Sequence, residues 1–132
     1  MLFTRLLALA ALAGLLVAQD DKKPEPKYEM TTYVMGLLRR GPNAAETSNA
    51  EKQKILAGHM ANIQKMADTG KLVVAGPFAD NGDLRGVFIF KGVTIEEARA
   101  LAAPDPAIES GYMILELHPW YAAEGLRVNP PK

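Results

Sequence analysis

Residues 71–91 read KLVVAGPFADNGDLRGVFIFK, two short apolar runs on either side of a turn. Lys71 to Ala75 is the first run, and Gly76-Pro77 ends it. Asp80-Asn81-Gly82-Asp83 supplies the turn, because Asn, Asp and Gly accept the backbone angles that turns need. Leu84 to Lys91 is the second run, rich in β-branched and aromatic residues. The spacing predicts a hairpin in the middle of the chain. What flanks that hairpin decides the fold.

Each side carries a helix with its own start signal. Upstream, Ser48-Asn49-Ala50-Glu51 is a capping box. The serine can accept from the backbone three residues on, and the glutamate can reach back. A helix is predicted from Asn49 to Thr69, ended by Gly70 in the left-handed conformation. At about 100° per residue, Ile55, Leu56, His59, Met60, Ile63, Met66 and Ala67 fall within roughly 140° of arc. Lys54, Asn62, Gln64, Lys65 and Asp68 fall off it. Downstream, Thr94-Ile95-Glu96-Glu97 is a second capping box. It opens a helix that must stop before Pro104, with Ile95, Ala98, Leu101 and Ala102 on one face. Asp105-Pro106 then reads as a short turn.

Further out lie two more strands. Tyr28 to Arg39 is β-rich and free of proline, and Gly41-Pro42-Asn43 breaks it. Tyr112 to Trp120 is the last strand. The order is β-α-β-β-α-β, which predicts an α+β fold, a ferredoxin-like sandwich of four antiparallel strands with two helices on one face. Alternation sharpens this. Met113, Leu115 and Leu117 oppose Tyr112, Ile114 and Trp120, while Leu84, Phe88 and Phe90 oppose Val87 and Ile89. Both sheet faces are apolar, and two helices cover only one. The expected cover for the other is a second copy of the chain, giving a homodimer with sheets face to face; the rival explanation is a deeper pocket within one chain.

The remainder of the 132 residues is organised around this single domain, at 28–126. Met1 to Ala18 has one early cation, Arg5, and an unbroken apolar run from Leu6. That run is shorter than the roughly 20 residues a bilayer needs. It reads as a secretory signal over 1–19, cut near Ala18 to Gln19, which places the mature protein in a periplasm or outside the cell; the alternative is an uncleaved N-terminal anchor. Residues 20–27 are charged and proline-bearing, a solvated linker, and 127–132 form a tail. No membrane association is expected once the signal is removed.

Composition excludes several chemistries. There is no cysteine, so thiolate catalysis, disulfides and Cys-ligated metals are out. Lys plus Arg number 15 against 15 Asp plus Glu, which provides no basic field for nucleic acid. No phosphate loop or G-x-G-x-x-G is present, so no nucleotide cofactor is expected. Ser48 is taken by its helix cap, and Ser110 lacks a G-x-S-x-G setting. The two histidines, His59 and His118, make no metal-binding pattern, and no metal is expected.

His59 remains. It lies on the apolar arc, four residues from Ile55 and from Ile63, where an imidazole is costly unless paired. One reading is a core histidine bonded to a backbone carbonyl. The other is a pocket histidine with a carboxylate partner that sets its tautomer and lets it exchange protons. Asp105 is the candidate carboxylate, although Asp before Pro also serves as a turn former or helix cap. His118 shares a face with Glu116 and reads as a surface or dimer contact. Arg39 and Arg40 at the end of the first strand, and Arg85, can hold an anionic ligand, or be solvated edge charges.

The folded part, from Tyr28 to Trp120, resembles the YCII-related (YciI-like) family. The run from His59 to Ile63, followed by Gly70-Lys71-Leu72-Val73-Val74-Ala75-Gly76-Pro77, is similar to the family's helix histidine and G-(K/R)-L-x-x-(A/S)-G-P pattern. Asp105-Pro106, with Gly111 after it, is similar to the family's D-P element. The resemblance implies a dimeric α+β barrel and a site in which His59 faces Asp105. Gly76 and Pro77, which close the first of these patterns, are candidate ligand contacts. Two departures stand out: Ala107 replaces the aromatic that often follows D-P, and relatives usually have no export signal. Some relatives look like dehydrochlorinases of chlorinated hydroxyquinols, and the barrel recurs in muconolactone isomerases. The resemblance therefore implies cofactor-independent acid–base chemistry on a small molecule. The competing expectation is a non-catalytic, dimeric module that captures a small ligand in the same pocket.

Overall fold

A computed structural model describes residues 29–126. The signal expected at 1–19, the linker at 20–27, Tyr28 and the tail at 127–132 lie outside the described residues.

Seven elements follow in order: β1 (Met30–Arg40), α1 (Asn49–Asp68), β2 (Leu72–Pro77), β3 (Leu84–Lys91), α2 (Ile95–Ala102), α3 (Pro106–Glu109) and β4 (Met113–Ala123). The strands form one antiparallel sheet in the order β2-β3-β1-β4. This is the ferredoxin-like α+β arrangement that the element order predicted. Both capping boxes form. The Ser48 hydroxyl accepts from Glu51 N and the Glu51 carboxylate accepts from Ser48 N. Thr94 and Glu97 repeat the exchange. Each such cap stabilises its helix by about 1 kcal/mol. Gly70 ends α1 with φ of 74°, a left-handed turn that only glycine adopts without cost.

Strand alternation divides the sheet as its sequence suggests. Val34 and Leu38 of β1 join Phe88 and Phe90 of β3 on the helix-covered face, with Met66, Ala98 and Ala102 from the helices above them. Met113, Leu115 and Leu117 pack on the same core. Phe88 and Phe90 meet edge to face at 6.0 Å, and each buried ring contributes about 1.5–3 kcal/mol. The opposite face carries Met35, Leu37 and Val87, all half-buried, and Ile114, which is exposed. Tyr33 and Trp120 pack there at 5.7 Å between ring centroids.

Several expectations are corrected. Gly76 and Pro77 extend β2 rather than ending it. β4 runs through Pro119 to Ala123, which is possible because β4 is an edge strand and proline's missing N–H faces no partner. Asp105-Pro106 begins a short helix, α3, with Pro106 at the first position where its missing donor is harmless. On α1, Asn62 is buried, whereas Met60 and Ala67 are exposed. The buried line runs through His59, Asn62 and Met66, because α2 and α3 flank α1 and turn its inner edge towards them.

The pairing of β1 with β3 shifts between Leu38 and Arg39. Leu38 faces Gly86, and Arg39 faces Leu84, so Arg85 is the extra residue of a bulge. Leu84 is thereby set on Arg39's side of the sheet, away from Phe88 and Phe90.

Candidate active site

α1 and α3 build the centre of the site together. Gly58 of α1 lies against Pro106, and the absence of a side chain there lets the two segments approach. That approach places His59 and Asp105 side by side, although 46 residues separate them in sequence.

The His59 Nδ1 lies 2.7 Å from Asp105 Oδ2. A carboxylate only accepts, so Nδ1–H donates and the other ring nitrogen, Nε2, is left with its lone pair. The second carboxylate oxygen of Asp105 accepts from Ala107 N at 2.9 Å, which caps α3. Asp105 itself is fully buried. The cap and the imidazole therefore use one oxygen each and fix the carboxylate in place. Both readings of Asp105 hold at once: it is the helix cap and it is the partner of His59. The backbone-carbonyl reading of His59 is set aside by this geometry. His59 also lies against the Phe88 ring at 6.0 Å and 25°, which restrains its tilt.

His59 lines a cavity of about 410 Å³ between α1 and the sheet. Leu38, Leu56, Ile63, Phe88 and Met113 make it largely apolar. Gly76, Pro77 and Arg85 line it too. Asp105 is behind His59 and does not line it. Among the described residues, Nε2 of His59 has no protein partner. A proton acceptor thus faces an apolar space, held in one tautomer from behind.

Arg39 is placed elsewhere. It points to the opposite sheet face, where its Nε donates to Glu116 Oε2 at 2.8 Å and its guanidinium lies 3.9 Å from Asp83. The Arg39 hydrogen bond is the main cause that holds the Glu116 carboxyl below the usual glutamate range, and His118 adds to it. His118 Nε2 lies 2.8 Å from Glu116 Oε1 on that surface, remote from His59. Arg40 lines a cleft with Arg85, and its parity with Leu38 on β1 places it on the helix side. Lys52, which lines the same cleft from α1, is the residue missed by the sequence reading. Among the described residues, no group of three or more His, Cys, Asp or Glu could hold a metal ion, and no helix is long and apolar enough to cross a membrane.

Comparison with known proteins adds the family. No curated protein matches the sequence. Among solved structures, the chain is similar to the 5-chloro-2-hydroxyhydroquinone dehydrochlorinase of Burkholderia phenoliruptrix AC1100, determined with 2,5-dihydroxybenzoquinone. The identity is 18% and the TM-score 0.48, over 68% of this chain and 93% of that one. The sequence model of the YCII-related domain matches residues 32–121, which span β1 to β4 and include both His59 and Asp105. The chain belongs to the YCII-related domain family.

Proposed function

We propose that this protein is a small-molecule enzyme in which His59 is the general acid–base and Asp105 its positioning residue. The observation that carries the reading is the 2.7 Å contact between His59 Nδ1 and a fully buried carboxylate, with the other ring nitrogen free beside an apolar cavity. Nε2 takes a proton from a substrate C–H or O–H, and the imidazolium so formed is stabilised by Asp105. Returning that proton to another atom completes an isomerisation; losing a leaving group completes an elimination. The apolar walls exclude water from both steps.

The test is a panel of hydroxyquinols, chlorinated hydroxyquinols and lactones, with product formation and exchange of substrate hydrogen for deuterium as readouts. His59→Ala should abolish turnover and leave ligand binding within a few-fold. Binding without turnover or exchange across the panel by the unaltered protein would favour the non-catalytic module instead.

Two further parts belong to this reading. The chain acts as a homodimer, supported by Met35, Leu37, Val87 and Ile114 on the uncovered sheet face. Sedimentation should give twice the chain mass at micromolar concentration. The protein is exported, supported by the apolar run after Arg5. Mass spectrometry of the protein recovered from its cellular compartment should find a start near Gln19.

A further inference from the structure

The His59 cavity adjoins a second cleft of about 280 Å³, bounded by Arg40, Lys52, Asn81, Arg85 and Tyr112. Arg85 and Met113 line both spaces. Three cations converge on the cleft, and no carboxylate lines it. Among the described residues none of the three has a carboxylate within 4.0 Å. The neighbouring acids are engaged elsewhere: Asp83 lies near Arg39, and Glu51 closes the capping box with Ser48. Arg85 makes only a long bond, 3.4 Å, to the Gly82 carbonyl, so most of its donors remain unused.

Arg85 is at this position because of the bulge. Strict alternation would set it with Val87 and Ile89 on the uncovered sheet face. The register shift at Leu38/Arg39 turns it to the helix side instead, where it borders the His59 cavity. Arg40 reaches the cleft by ordinary alternation from Leu38. Like charges held together without a counter-charge repel one another, and an oxyanion relieves that repulsion while accepting from the guanidinium forks.

We propose that the ligand of this site carries an oxyanion, a carboxylate or a phosphate. Arg40, Lys52 and Arg85 hold it, and the ligand's apolar end lies in the cavity against His59 and Phe88. The inference rests on the reading of the His59 cavity as the ligand site, and it names the class of molecule that fits there.

The test uses 3-phenylpropionate, its neutral amide, phenyl phosphate and inorganic phosphate as probes, with NMR of the intact chain at low salt. The expected result is that one aromatic anion binds about tenfold tighter than the amide, since hydrogen bonds to charged acceptors are the stronger ones. The His59 ring signals should move with it. Arg85→Gln, and separately Arg40→Gln with Lys52→Gln, should remove the preference while the amide still binds. The phenylpropionate and phenyl phosphate arms tell a carboxylate site from a phosphate site. Equal affinity for acid and amide, with His59 signals moving in both, would overturn the inference and leave the His59 reading standing. Anions that move Arg85 and Tyr112 signals but not His59 would also overturn it, as a separate anion site. No movement of His59 with any probe would overturn the His59 reading itself, and this inference with it.

Discussion

Gly58 and Pro106 meet so closely that a β-carbon added to Gly58 would lie 2.6 Å from Pro106 Cγ. The proline ring cannot swing away as a flexible side chain would, because it begins α3 and follows directly on Asp105. The next residue along α1 is His59, and the next back from Pro106 is Asp105. A small backbone approach thus sets the length of the buried hydrogen bond.

Gly58→Ala tests that approach. Alanine is the better helix former by about 1 kcal/mol. Overpacking opposes this with about 1–3 kcal/mol. The net expectation is a less stable protein in urea denaturation, together with shifted His59 ring signals. A variant more stable than the parent would show that α3 yields without cost.

Asp105→Asn should separate the two tasks of the carboxylate. The amide oxygen can still accept from Ala107 N and keep α3 capped. The amide N–H₂ would then face His59 Nδ1 and force the proton to Nε2. Nitrogen-15 NMR should show the ring in the opposite tautomer, and turnover should fall on the order of 10⁴-fold, as when a triad aspartate is replaced. Stability should fall by only about 1.5–3 kcal/mol, the worth of one hydrogen bond to a charged group. Asp105→Ala should cost more, because Ala107 N–H and His59 Nδ1–H would both lose a buried acceptor. Retention of the parent tautomer in Asp105→Asn would rule out the carboxylate as its determinant.

Glu116 gives stability a pH dependence. Its carboxyl is held below the ordinary value of 4.5, chiefly by the Arg39 hydrogen bond. A folded-state value below the unfolded one means that its contribution is complete above 4.5 and is lost as pH falls through the lowered value. Stability curves of the parent and Glu116→Gln should therefore differ at neutral pH and draw together as pH falls into the acid range below 4.5. The difference should shrink in salt, because the pair is half exposed. A gap that stays constant down to that acidity would remove Glu116 from the acid response.

The sequence by itself determined the β-α-β-β-α-β order without α3, both capping boxes, the glycine that ends α1 and, Leu84 apart, the two-sided apolar alternation of β3 and β4. All of these are local: each depends on a residue and neighbours two to four positions away, where propensity and periodicity act. It also marked His59, by its place on an apolar arc, and through family resemblance its pairing with Asp105. Only the tertiary structure decided how these parts meet. Asn62 was turned inward by the flanking helices, and Pro119 was tolerated because β4 is at the sheet edge. Asp105 acquired two acceptor roles only once α3 packed on Gly58. Arg39 and Arg40, adjacent in sequence, went to opposite faces, and a one-residue register shift brought Arg85 back to the helix side. Register and helix rotation are set by contacts between segments far apart in the chain, and no local pattern in the sequence encodes them.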